Sequence, residues 1–137
     1  MATKRQLQKY MISRNGKVYN TEPERNFKEF ARQHGLNVCQ NVTLTFHEDG
    51  GEVYDFQCDF LVPTEEWFST DFEIDGPYHE TDRAHRKDLW KDFIKAKRGL
   101  KVIHVPAVLT EKKWWPYLDS EIIKALAGKS RSVFIAA

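Results

Sequence analysis

Three successive runs of alternating residues, divided by turn signals, constrain this chain more than any other feature. In the first, Val38, Gln40, Val42, Leu44 and Phe46 share a parity, with polar Asn41, Thr43 and Thr45 between them. A period of two is that of a strand with one face against a core. Asp49-Gly50-Gly51 then reads as a hairpin turn. The return run puts Tyr54, Phe56, Cys58, Phe60 and Val62 on one face and Asp55, Gln57 and Asp59 on the other. Pro63 to Glu66 turns the chain again, and Trp67 to Asp75 continues as a third strand. Strands joined by such short turns form an antiparallel meander.

Helices bracket the meander. Thr21-Glu22-Pro23-Glu24 is a helix start, with a Thr cap, Pro in the first turn and Glu at the third position. Phe27, Phe30, Ala31 and His34 lie along one side of it, and Gly35 ends it. Thr81 or Asp82 can cap a second helix that reaches Arg98 and stops at Gly99, with Leu89, Trp90, Phe93 and Ile94 as its expected buried stripe. Lys101 to Val105 reads as a fourth strand, and Thr110 to Ala127 as a third helix that Pro116 can split. The expected fold class is α/β: a mixed central sheet, antiparallel meander plus one further strand, flanked by helices. The expected organisation is a basic arm or short helix over 1–20, a single domain over 21–127 and a tail over 128–137 that no periodicity places.

Size and composition exclude several classes. At 137 residues the chain suits one domain with a real core. It has no run of ~18 apolar residues and no apolar signal-peptide core at its start. Cys39 and Cys58 form neither a zinc spacing nor a disulfide framework. The expectation is an intracellular, cytoplasmic protein with no membrane partner. The net charge of +1 conceals an uneven distribution. Lys4, Arg5, Lys9, Arg14 and Lys17 stand in the first 20 residues without an acid. Arg83, Arg86, Lys87, Lys91, Lys95, Lys97, Arg98 and Lys101 face only Asp88 and Asp92 over 83–101. Acids gather around 48–82. A basic periphery around an acidic centre suits a polyanionic substrate cut at a metal site, although charge alone more often marks a pair of solvated helix faces.

The acids have a pattern. In the run from Asp71 to His79, Glu73 and Asp75 alternate with Phe72 and Ile74, so both carboxylates share one face of the third strand. Gly76-Pro77 ends the strand, and His79 follows. Asp59 falls on the polar face of the second strand. If the two strands pair, Asp59, Glu73 and Asp75 can converge. Such a trio repels itself unless a divalent cation relieves it, the other reading being an ordinary wet sheet face. Asp71 shares the parity but lies farther from the strand end. Glu24 sits about 70° from the middle of its helix's apolar stripe at ~100° per residue, and can serve as cap, site residue or both. His79 has the ordinary pKa range for passing a proton at neutral pH. The Trp114-Trp115 pair suits packing of the last helix more than stacking on bases.

Taken together, Glu24, Cys58-Asp59-Phe60, the run Phe72 to His79, Asp88 and Gly99-Leu100-Lys101-Val102-Ile103 resemble the PD-(D/E)XK nuclease superfamily. The branch they resemble holds the very-short-patch-repair endonuclease, related homing endonucleases and small proteins with a Glu-φ-Asp-Gly-x-x-His signature. The resemblance covers roughly residues 21–105. It implies a restriction-endonuclease-like core and an endonuclease that hydrolyses DNA with Mg²⁺ or Mn²⁺. It implies Asp59 as the central metal-binding aspartate, Glu73 and Asp75 at the second acidic position, His79 as the catalytic histidine and Glu24 as the helix glutamate. Asp88, with Lys91, would match a further pair on the second helix. Helical periodicity instead turns Asp82 and Arg86 inward, which makes Asp82 the rival of Asp88. The lysine of the general motif is missing, because Asp75 stands in its place; the proton-transfer role then falls to His79 or to water. Lys4, Arg5, Arg83, Arg86, Lys87 and Lys91 would hold the DNA backbone. A homodimer is one arrangement that would supply two sites. The alternative is a non-catalytic DNA-binding module that keeps the nuclease fold.

Overall fold

The computed structural model describes residues 21–76 and 82–137, except for the side chains of residues 82–84. Lys4, Arg5 and His79 therefore lie outside the described residues, as do the side chains of Asp82 and Arg83.

Helix α1 covers Glu22–Gln33. Its start follows the sequence signal: the Glu24 amide donates to Thr21 Oγ1 at 3.2 Å, and the Glu24 carboxylate reaches back to Thr21. This reciprocal pairing satisfies amides that the helix leaves free. Thr21→Ala is expected to cost about 1 kcal/mol of stability, measured by urea unfolding. Gly35, at a φ of 72°, ends the helix in the left-handed region.

The meander forms as expected. Strands β1 (Cys39–His47), β2 (Val53–Pro63) and β3 (Phe68–Asp75) pair antiparallel in sequence order. Gly51 takes a φ of 91° in the β1–β2 turn, where a side chain would be strained. Helix α2 (Asp82–Lys97) then crosses to β4 (Lys101–Pro106), which pairs parallel to β3.

The last third differs from the sequence reading. Residues 107–114 form two short 3₁₀ turns, so helix α3 begins only at Trp115 and runs to Ala127. Pro116 stands in its first turn, where a missing amide costs nothing. The stretch with no periodicity supplies a fifth strand, β5 (Ser132–Phe134), parallel to β4. Three residues are too few for an alternation to show. The sheet order is β1-β2-β3-β4-β5.

Each face of the sheet has its own core. Phe27 and Phe30 of α1 and Leu118 and Ile122 of α3 pack on Phe60, Phe72, Ile103 and Val105. Trp115 joins them, edge-on to Phe30, with its indole N–H donating to the Thr110 carbonyl at 2.8 Å. On the other face Leu44, Phe46, Phe56, Cys58, Leu61 and Leu100 pack with Ile94 of α2. No described helix is long and apolar enough to cross a membrane.

The expected stripe of α2 is overturned. Ile94 is buried, but Leu89 and Phe93 are 43% and 63% exposed. Arg86 is also exposed rather than turned inward. The helix instead buries Asp88, Asp92 and Lys95. The cause lies on the sheet: β3 and β4 present Asp71, Glu73, Asp75 and His104 to this helix, so polar partners are selected over apolar ones.

A candidate acidic site between β2 and β3

The β2–β3 ladder runs up to the pair Phe60↔Phe72. Asp59 and Glu73 come next, and their side chains replace the ladder. The Asp59 amide donates to Glu73 Oε2 at 2.8 Å. The Ile74 amide donates to Asp59 Oδ2 at 2.8 Å. Each strand thus gives an amide to the other's carboxylate.

Strand β2 turns over at this point. Cys58 packs in the core under α2 and Phe60 in the core under α1, although they are two residues apart. The single apolar face expected for Tyr54 through Val62 therefore breaks at Asp59. Opposite it, Asn41 of β1 takes a left-handed φ of 56°, and the pairing skips from Gln40↔Phe60 to Val42↔Cys58 without a change of register.

The electrostatics of the pair are unfavourable to ionisation. Burial, then the neighbouring Glu73, pushes the Asp59 carboxyl well above the usual carboxylate range. Glu24 adds a smaller repulsion. Its own carboxyl is raised by burial, and Gln40 Nε2 reaches its Oε2 at 3.5 Å. The helix glutamate is thus both a cap and a member of the rim.

An ammonium does reach this cluster, from α2 rather than from the strand. Lys95 Nζ donates to Asp71 Oδ2 at 2.7 Å and to Glu73 Oε1 at 3.2 Å. Lys95 and Asp71 are almost wholly buried. Although burial opposes the charge, Glu73 and Asp71 hold the ammonium protonated, well above the ordinary lysine range. Burial and Glu73 push the Asp71 carboxyl up, against the pull of Lys95. Asp71 Oδ1 is buried without a hydrogen-bond partner among the described residues. One lysine therefore stands against three carboxylates: Asp59, Asp71 and Glu73.

Asp75 does not join them, which corrects the expected trio. It shares the face of Glu73, but its oxygens lie 3.0 and 3.2 Å from His104 Nδ1. His104 Nε2 lies 2.7 Å from Asp92 Oδ2, which also accepts from Ser132 Oγ at 2.6 Å. Burial opposes the imidazolium, but the bonds to Asp75 and Asp92 outweigh it and raise the His104 pKa to about 10. Asp88 belongs to this second group, with ligand atoms of Asp75, Asp88 and His104 all within 4.8 Å of one another.

The sequence reading therefore missed Lys95, Asp92 and His104 and ranked Asp71 too low. A signal existed for the helix residues. Asp88, Asp92 and Lys95 are spaced by four and three, the interval of one helix face. Of the expected DNA contacts with described side chains, Arg86 and Lys87 are exposed, and Lys91 lies over the Phe56 ring at 5.7 Å.

Asp59 and Glu73 offer only oxygen donors at one end of a strand pair, a donor set that fits a hard dication. Burial and Glu73 disfavour the ionised form of Asp59, and one Asp71 oxygen is buried without a hydrogen-bond partner among the described residues, so the cluster lacks cationic partners for all its carboxyl groups. No family model, curated protein or solved structure matches this chain.

Proposed function

We propose that this protein is a divalent-metal-dependent endonuclease that hydrolyses phosphodiester bonds in DNA, on a restriction-endonuclease-like core. One observation carries the proposal: Asp59 and Glu73 meet across β2 and β3, at the point where the ladder gives way to carboxylate bonds. The sequence resemblance assigns these same two residues to metal binding. The meander followed by a helix and a parallel strand is consistent with such a core.

Asp59 and Glu73 would hold Mg²⁺ or Mn²⁺, with Glu24 at the rim. Bound there, the ion would polarise a phosphodiester and lower the pKa of water. Lys95 fixes Glu73 from behind and offsets part of the local negative charge. His79, which follows Asp75 in the chain, is assigned proton transfer. Exposed Arg86 and Lys87 supply cations for the DNA backbone.

A second reading, a DNA-binding module without catalysis, is favoured by Lys95. Its ammonium already serves Asp71 and Glu73, so part of the charge that would attract a cation is compensated. Incubation with supercoiled plasmid separates the two. The nuclease gives nicked or linear product with Mg²⁺ or Mn²⁺ and none with EDTA. Salt-sensitive retention of DNA with no product under any metal would overturn the nuclease and support the module.

A further inference from the structure

The Asp75–His104 cluster stands apart from the proposed catalytic pair, and its construction is that of a metal centre. His104 sits on β4 beside β3, with Asp75 at the end of β3. Asp88 and Asp92 come from consecutive turns of α2. We propose that Asp75, Asp88 and His104 form a second cation site, one that takes a borderline transition-metal ion of the Zn²⁺ and Co²⁺ class.

Three observations carry it. The first is spacing. The ligand atoms all lie within 4.8 Å of one another. Ligands of a tetrahedral ion at bond lengths near 2.0–2.2 Å stand roughly 3.4 Å apart, so small side-chain movements bring the three onto one centre.

The second is the support behind the imidazole. Asp92 Oδ2 takes the His104 Nε2–H bond at 2.7 Å and is itself held by Ser132 Oγ at 2.6 Å. Phe134 lies flat on the ring, 4.0 Å away at an angle of 1°. A carboxylate behind a histidine fixes its tautomer and turns the other nitrogen to the metal, the usual outer-shell arrangement. Here that nitrogen is Nδ1, which faces Asp75.

The third is donor chemistry and access. Asp88 and His104 are buried, while Asp75 keeps 13% of its side chain exposed and opens the cluster to solvent. One imidazole with two carboxylates selects against Mg²⁺, which prefers all-oxygen sites with several waters. On binding, the ion replaces the proton between His104 Nδ1 and Asp75, and that proton leaves to solvent.

The site does not depend on the nuclease reading, and its test separates the two. Chelator-treated protein is titrated with Co²⁺ and followed by visible absorption and calorimetry. Binding is expected to weaken at least tenfold in His104→Gln and in Asp88→Asn, and to persist in Asp59→Asn. Proton NMR of the Co²⁺ form of the natural chain gives a readout that needs no variant: one solvent-exchangeable, strongly shifted resonance from His104 Nε2–H. Absence of that resonance, absence of Co²⁺ uptake up to millimolar levels, or equal affinity in His104→Gln would overturn the site.

Discussion

Lys95→Met is expected to destabilise the protein by about 3–5 kcal/mol, the usual cost of removing one partner from a buried ion pair. The substitution keeps the length of the side chain, so little packing is lost. What is lost is the single ammonium between Asp71 and Glu73. Asp71 is wholly buried and cannot recover hydration without opening the sheet. Urea unfolding measures the loss. Adding Asp71→Asn and Glu73→Gln to Lys95→Met should restore a large part of it, because the stranded charges go with the cation. A loss below about 1 kcal/mol in the single variant would mean that Lys95 does not hold this cluster together.

The second large effect joins stability to chemistry. If the proposed nuclease reading holds, Asp59→Asn should lower metal-dependent cleavage by more than about a hundredfold, since it removes the proposed central anionic ligand. In metal-free protein the same change should add roughly 1 kcal/mol of stability, the common trade between activity and stability at a strained site. The amide oxygen can still accept from Ile74, while the buried charge is gone.

The sign with pH follows from the direction of the shift. Asp59 has its carboxyl raised in the folded state, so the folded chain holds that proton more tightly than the unfolded one. Its contribution is favourable in acid. It is lost as pH climbs from the unfolded value near ~3.9 through the raised folded value. The stability difference between Asp59→Asn and the natural chain should therefore widen over that climb and then level off. Thermal unfolding across pH 4–8 in EDTA measures it. A difference that shrinks as pH rises would show that Asp59 is stabilised as an anion.

Residues whose pattern and environment agree were legible in the sequence. The β1–β2 hairpin, the capped start of α1 and the stop at Gly99 each rest on local rules that tertiary packing did not oppose. Asp59 and Glu73 were placed together by parity and pairing. Two things escaped. The turnover of β2 at Asp59 lies opposite the left-handed Asn41 of β1, and alternation along one strand carries no information about its neighbour. The buried face of α2 was inverted, because hydrophobicity ranks Leu89 and Phe93 above Asp88, Asp92 and Lys95. Only knowledge of an acidic floor beneath the helix reverses that ranking. Asp75 followed the parity rule and still separated from Glu73, since His104 on the adjacent strand offered it a closer partner.

One peptide joins the two clusters. The Ile74 amide, fastened to Asp59 rather than to a carbonyl, lies between Glu73 and Asp75 on the same strand. An ion bound at either proposed site would therefore lie one peptide of β3 away from the residues that hold the other.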